Sequence, residues 1–140
     1  MKVLLAEDDI KLSNILRREG FTPEDEIHLA PDGVEAVLTF QDGDWDLVVL
    51  DLLLPRLRGV DVLRIIKRAR PSVPVMVMSG GASAADIEEA LSIGAFCALE
   101  KPFPIHQFRR SVQDARLEAY AARMLEGNRQ ITIVSKGGTQ

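Results

Sequence analysis

Asp46-Leu47-Val48-Val49-Leu50-Asp51-Leu52-Leu53-Leu54-Pro55 is the stretch on which the fold turns. Four apolar residues in a row, Leu47 to Leu50, run into an acid. A strand with one face in water would alternate apolar and polar residues. An unbroken run suits a strand covered on both faces, as in the middle of a parallel sheet. Pro55 and Gly59 then mark a loop. Working outward, the same kind of run recurs. Lys2 to Ala6 holds Val3-Leu4-Leu5, Val73 to Met78 is a fourth strand, and Ala95 to Leu99 is a fifth. Ile27 to Ala30 is a short, weaker second strand.

Between these runs the apolar spacing is helical. Asp9 to Gly20 reads as a helix with Leu12, Ile15 and Leu16 on one face and Gly20 at the C-terminal cap. Asp32 with Glu35 has the spacing of a capping box, and that helix ends near Gln41. Val60 to Arg70 places Val62, Ile66 and Ala69 on one side, and Pro71 stops it. Ser83 with Asp86 repeats the capping pattern. Pro104 opens a last helix, where Ile105, Phe108, Val112, Ala115 and Ala119 keep helical spacing to an end near Gly127. Asn128 to Gln140 is expected to be a flexible tail, with Ile131-Thr132-Ile133-Val134 as an alternative edge strand. Strands alternating with helices predict an α/β domain: a parallel sheet covered by helices on both faces.

Composition narrows the function classes. The chain has 140 residues, a size that suits one domain. Its 21 acids and 17 bases leave a net charge of −4, which argues against direct nucleic-acid binding. The longest uncharged run is cut by prolines and Gly80-Gly81, so no membrane span is expected. The N-terminus has too short an apolar stretch for a secretory signal. One cysteine, Cys97, excludes an internal disulfide. A cytoplasmic location is the expectation.

In open α/β sheets the chemistry sits beyond the carboxyl ends of the strands. Glu7, Asp8 and Asp9 follow the first strand, Asp51 ends the third, Ser79 ends the fourth, and Lys101 follows the fifth. Each has a plain structural explanation: capping acids, a loop acid, turn chemistry, a surface lysine. Convergence at four strand ends argues for a site instead. Clustered carboxylates repel unless a cation sits among them, and a hard divalent ion with oxygen ligands, Mg²⁺, suits them. A carboxylate beside such an ion can attack phosphorus while an ammonium and a hydroxyl hold the phosphoryl oxygens. An aspartyl phosphate at Asp51 is the predicted product.

These residues resemble the receiver domain of two-component response regulators. Glu7-Asp8-Asp9, Asp51 within Val48-Val49-Leu50-Asp51, Gly59, Ser79 after Val75-Met76-Val77-Met78, and Lys101-Pro102-Phe103 carry the resemblance over residues 1–122, with 123–140 as the end of the last helix and the tail. The spacings are 43 residues from Asp8 to Asp51, 28 to Ser79 and 22 to Lys101. The resemblance implies a flavodoxin-like five-stranded parallel sheet in order 2-1-3-4-5, flanked by five helices, with a cis Lys101–Pro102 peptide. It implies that Asp51 accepts a phosphoryl group from a histidine kinase or histidine phosphotransfer protein. Asp8, Asp51 and the backbone carbonyl of Leu53 would ligate Mg²⁺, with Glu7 acting through water. Lys101 would pair with the phosphoryl oxygens and Ser79 would report their arrival. A single-domain switch or relay shuttle is expected, monomeric or dimerising on phosphorylation, and not an enzyme beyond its own phosphotransfer and dephosphorylation. Its protein target would meet the face of the fourth helix, fifth strand and fifth helix.

Several positions depart from the family pattern. Ala98 stands where a switch aromatic is usual, and Phe96 shares its predicted strand face. Arg56 and Arg58 are basic in the loop after Asp51. Leu53 and Gly81 occupy positions that the family varies to tune dephosphorylation; an apolar Leu53 is expected to exclude water and slow it. Two other readings stay open. One is a receiver-like binding module that no longer depends on phosphorylation. The other is an aspartyl-nucleophile hydrolase, against which Leu53 stands where such phosphatases carry a second acid. The apolar stripe Leu117, Ala121, Met124 and Leu125 could pack on the domain or mediate dimerisation.

Overall fold

The structure is a computed structural model that describes residues 1–81 and 83–138, with side chains described through residue 127. Its elements run β1 (Lys2–Ala6), α1 (Ile10–Glu19), β2 (Glu26–Ala30), α2 (Gly33–Gln41), β3 (Leu47–Asp51), α3 (Gly59–Ala69), β4 (Val75–Ser79), α4 (Ala84–Ile93), β5 (Cys97–Glu100) and α5 (Ile105–Gly138). The strands form one parallel sheet in the order β2-β1-β3-β4-β5. The unbroken apolar runs mark its middle: every residue of β3 and β4 is buried, whereas the edge strands β2 and β5 are partly open.

Two apolar layers cover the sheet. Leu4, Val48, Leu50, Val75 and Val77 pack with Phe40 of α2, Val62, Leu63 and Ile66 of α3, and Ala90 of α4. On the other face Val3, Leu5, Val49, Met76 and Met78 pack with Leu16 of α1 and with Phe108, Val112 and Ala115 of α5. Adjacent strand residues alternate between the two layers, as the pleat requires.

The caps follow the sequence closely. Asp9 accepts from the amides of Lys11 and Leu12 at 3.0 and 3.2 Å, and Asp32 accepts from Glu35 at 2.8 Å. Ser83 and Asp86 form a reciprocal capping box on α4. Gly20 does end α1, but at φ −89°, where no glycine is needed for conformation. The requirement there is space: a Cβ would lie 2.4 Å from the Phe108 ring of α5.

Three expectations need correction. Ile15 is 40% exposed rather than part of the α1 core face, which Leu16 occupies with Leu12 packed beside it. Phe96 packs with the α1/α5 layer, opposite Ala98. It precedes β5, so strand alternation does not govern its side chain. Finally, α5 does not end near Gly127, and residues 131–134 form no edge strand; the helix continues to Gly138. A mid-helix glycine costs only about 1 kcal/mol relative to alanine, which slows but does not stop a helix. Thr139 and Gln140 lie outside the described residues. Among the described residues, no helix is long and apolar enough to cross a membrane.

Candidate functional site

The carboxyl edge of the sheet gathers most of the predicted set. β1 and β3 lie side by side, with Ala6 opposite Leu50, so Glu7 and Asp51 leave neighbouring strand ends together. β4 and β5 place Ser79 opposite Glu100, and Lys101 comes next. Lys101 reaches back over the edge. Its Nζ donates to Glu7 Oε1 at 2.7 Å and to Asp51 Oδ2 at 3.0 Å. The Lys101–Pro102 peptide is cis. Asp51 Oδ1 accepts the Leu53 amide at 2.9 Å. Carboxylate oxygens of Glu7, Asp8 and Asp51 all lie within 4.8 Å of one another.

Burial divides these groups. Glu7, Asp51 and Ser79 are buried, while Asp8 is exposed at the rim. Burial, reinforced by Asp51 beside it, pushes the Glu7 carboxyl up to about 8 against the pull of Lys101. Burial also pushes Asp51 up, but hydrogen bonds from Glu7, the Leu53 amide and Lys101 outweigh it and hold Asp51 below the usual carboxylate range. Burial pulls the Lys101 ammonium down, and its bonds to Glu7 and Asp51 more than restore it. Of two neighbouring buried carboxyls that share one ammonium, Glu7 is therefore the one that holds a proton more readily and Asp51 the one that stays ionised. Glu7 Oε2 is buried with no hydrogen-bond partner. An orphaned buried carboxylate oxygen beside two further acids is an all-oxygen donor set suited to a hard divalent cation.

The surroundings fit the edge closely. Gly59 lies against the strand end: a Cβ there would sit 2.4 Å from the Asp51 carbonyl oxygen. Gly80 leaves room for the Lys101 stem, where a Cβ would approach Cδ at 3.0 Å. The Ser79-Gly80-Gly81 run carried only a turn signal, so this spacing role was hidden until Lys101 was placed. Gly81, at φ +118°, lies beside Leu53, whose Cδ1 would be 3.6 Å from an added Cβ. The two loop arginines are paired: Arg56, at φ +69°, with Asp32 at 3.2 Å, and Arg58 with Asp86 at 3.3 Å. Asp9 is drawn into capping α1 rather than into the cluster.

Comparison with known proteins agrees with this geometry. The family described as response regulator receiver domain matches residues 3–113. An uncharacterized transcriptional regulatory protein of Bacillus subtilis, YcbL, is 37% identical over 138 residues, covering 93% of this chain and 58% of its own. The response regulator protein PmrA of Pseudomonas aeruginosa is 34% identical, covering 81% of this chain and 51% of its own. The chain thus spans about half the length of these curated relatives. Among solved structures, the receiver domain of the Francisella response regulator 1452 superposes with a TM-score of 0.74 at 29% identity, covering 82% of this chain and 95% of that one. A five-stranded parallel sheet in this order, with an acidic cluster and a bridging lysine at its carboxyl edge, places the chain in the response regulator receiver family, whose members are phosphoacceptor signalling domains.

Proposed function

We propose that the chain is a switch that accepts a phosphoryl group on Asp51 from a phosphohistidine of a histidine kinase or phosphotransfer protein. The observation that carries this reading is the position of Lys101, bound at once to Glu7 and Asp51 across the sheet edge. One Asp51 oxygen forms the new P–O bond as the P–N bond to the donor imidazole breaks. Lys101 then moves from balancing carboxylates to balancing phosphoryl oxygens. Ser79, at the end of the adjacent strand, offers a hydroxyl to the same group. Asp8, Asp51 and the Leu53 carbonyl would hold Mg²⁺, with Glu7 acting through water. The ion would supply charge neutralisation between the carboxylates and the incoming phosphoryl group. The chain's own chemistry ends with this phosphotransfer and the later hydrolysis of the Asp51 phosphate, in which water attacks phosphorus, the bond to Asp51 breaks and inorganic phosphate leaves. The cytoplasm, where the donor kinases present their phosphohistidines, is the proposed location, and the α4/β5/α5 face the proposed target surface. Incubation with a small acyl phosphate and Mg²⁺ should add one phosphoryl mass to the wild type and none to Asp51→Asn. Ala98, in place of an aromatic, favours a second reading as a binding module independent of phosphorylation. Absence of any mass gain on the wild type would favour that reading instead.

Binding of the cation should depend on pH in a defined direction. Glu7 titrates near 8 in the metal-free site, so below that pH a proton competes for its carboxylate. Mg²⁺ affinity is expected to rise by up to about tenfold per pH unit between 6 and 8. The stability sign is opposite in metal-free buffer. A carboxyl whose folded pKa is raised stabilises the fold at low pH and loses that contribution as pH rises toward 8. Calorimetric titration of Mg²⁺ at three pH values checks the first statement, and a pH-independent affinity would refute it.

Leu53 is 49% exposed beside Asp51. Its side chain is apolar and offers no group to orient an attacking water. A phosphoryl lifetime of minutes or longer is expected, shortened several-fold in Leu53→Asn. Decay of the wild type within seconds would count against this role.

A further inference from the structure

Lys101 can bridge Glu7 and Asp51 only if its own backbone is held in place. On the strand side it is. Its amide donates to the Ser79 carbonyl at 2.7 Å, and its stem runs past Gly80, where an added Cβ would approach Cδ at 3.0 Å. On the other side the chain runs Pro102-Phe103-Pro104 before α5 begins at Ile105. Two of these three residues have no N–H to donate. Among the described residues, Pro102 and Phe103 make no backbone hydrogen bond to the domain. Polar contacts resume at Pro104, whose carbonyl accepts from Gln107 and Phe108 at 3.1 and 3.4 Å. A cleft of about 580 Å³ lies beside the segment, bordered by Leu12, Ile15 and Gly80 as well as by Lys101 and Phe103. There is therefore room for the segment to swing, and packing is what restrains it. The Phe103 ring stacks on Phe108 with centroids 5.8 Å apart and planes at 12°. Phe108 is fully buried. It lies edge-on to Phe21 at 5.6 Å and fills the space that a Cβ on Gly20 would need.

We propose that Phe103 is a positioning residue for phosphoryl transfer: by stacking on Phe108 it anchors the chain just past Lys101 and so keeps the ammonium over the Glu7–Asp51 edge. The inference rests on the phosphoacceptor reading and adds to it the source of the lysine's placement. A lysine ammonium sits at the end of a flexible four-carbon stem, so a small backbone movement at its root carries the charge away from its partners. At a reacting centre a displacement of about 1 Å can cost up to about 10²-fold in rate. Phe103 thus acts through Lys101 and touches no reacting atom. A side chain that merely filled the layer between α1 and α5 would affect stability alone, with no specific link to the lysine.

A double-substitution cycle on phosphoryl uptake from a small acyl phosphate with Mg²⁺ separates the two cases. Phe103→Ala should slow uptake by about 10–30-fold. In a Lys101→Ala background the same change should slow it by less than about twofold, because the lysine it places is gone. Phe103→Tyr keeps the ring and should stay within about threefold of the wild type. Phe21→Ala removes the other aromatic neighbour of Phe108. It should lower the thermal midpoint and leave uptake within about twofold of the wild type. If Phe103→Ala does not fold, Phe103→Leu keeps the apolar bulk without the stack and enters the same cycle, with a loss of about fivefold expected. Equal losses from the Phe103 change in both backgrounds overturn the proposal. So does a loss in Phe21→Ala as large as in Phe103→Ala, and so does wild-type uptake in the Phe103 variant. A wild type that gains no phosphoryl mass overturns the phosphoacceptor reading and this inference together. Additive losses on a wild type that does gain it overturn this inference alone.

Discussion

Lys101→Ala is expected to slow phosphoryl uptake by about 10²–10³-fold, the usual cost of losing a preorganised charge partner at a reacting centre. The effect is large because Lys101 is the cation that reaches both buried carboxylates, at 2.7 Å from Glu7 and 3.0 Å from Asp51. Its removal leaves two adjacent acids with no exchange partner for the incoming phosphoryl oxygens. The same substitution has a thermodynamic signature. In metal-free buffer the variant should unfold at a lower urea concentration than the wild type, because a buried carboxylate pair has lost its counter-charge. Added Mg²⁺ should recover more stability in the variant than in the wild type, since the ion takes over the neutralising role. Phosphoryl mass followed over time and urea midpoints with and without Mg²⁺ measure both effects. Uptake at the wild-type rate would remove Lys101 from the mechanism.

Asp25→Ala should destabilise the fold by about 2–4 kcal/mol at neutral pH, although Asp25 is remote from the site. The side chain has no solvent exposure. Its oxygens accept from both Arg116 guanidinium nitrogens at 2.8 and 2.6 Å, from the Met1 α-amino group at 2.8 Å, and from the Thr22 amide and hydroxyl at 3.0 and 3.1 Å. One carboxylate therefore ties the turn before β2 and the start of β1 to α5. Burial raises the Asp25 pKa, but these hydrogen bonds, led by Arg116, outweigh it and hold the carboxyl far below the ordinary range. The sign follows from the depressed folded pKa. The stabilisation is present above the unfolded value of about 3.9 and fades as pH falls below it. The gap in stability between wild type and Asp25→Ala should thus narrow between about pH 4 and pH 2. Thermal unfolding across that range provides the measurement. A gap that is negligible at pH 7, or that widens in acid, would contradict the assignment.

The two cases differ in how they could be read from sequence. Glu7, Asp51, Ser79 and Lys101 were legible because each follows a strand-like apolar run, and a parallel sheet aligns the carboxyl ends of its strands. Asp25 carried no such signal. It sits in a Thr-Pro-Glu-Asp-Glu stretch that reads as an ordinary polar turn, and its partner Arg116 lies 91 residues away. Local pattern does not encode pairings over such distances. Phe96 shows a related limit: period-2 reasoning holds only inside the ladder, and β5 begins one residue later.

By itself the sequence determined the alternation of strands and helices, the buried middle strands, the helix caps, and the carboxylates, hydroxyl and ammonium at one sheet edge. These are consequences of apolar periodicity and strand direction, which act over a few residues. Tertiary structure alone decided the rest: that Lys101 bridges Glu7 and Asp51, that burial sets Glu7 apart from Asp51 in acidity, that Gly20 and Gly59 are demanded by close approach rather than by dihedral angle, and that Leu117, Tyr120 and Met124 are left exposed on α5. Each of these depends on distances between segments far apart in the chain, which packing of the two layers fixes and local sequence does not.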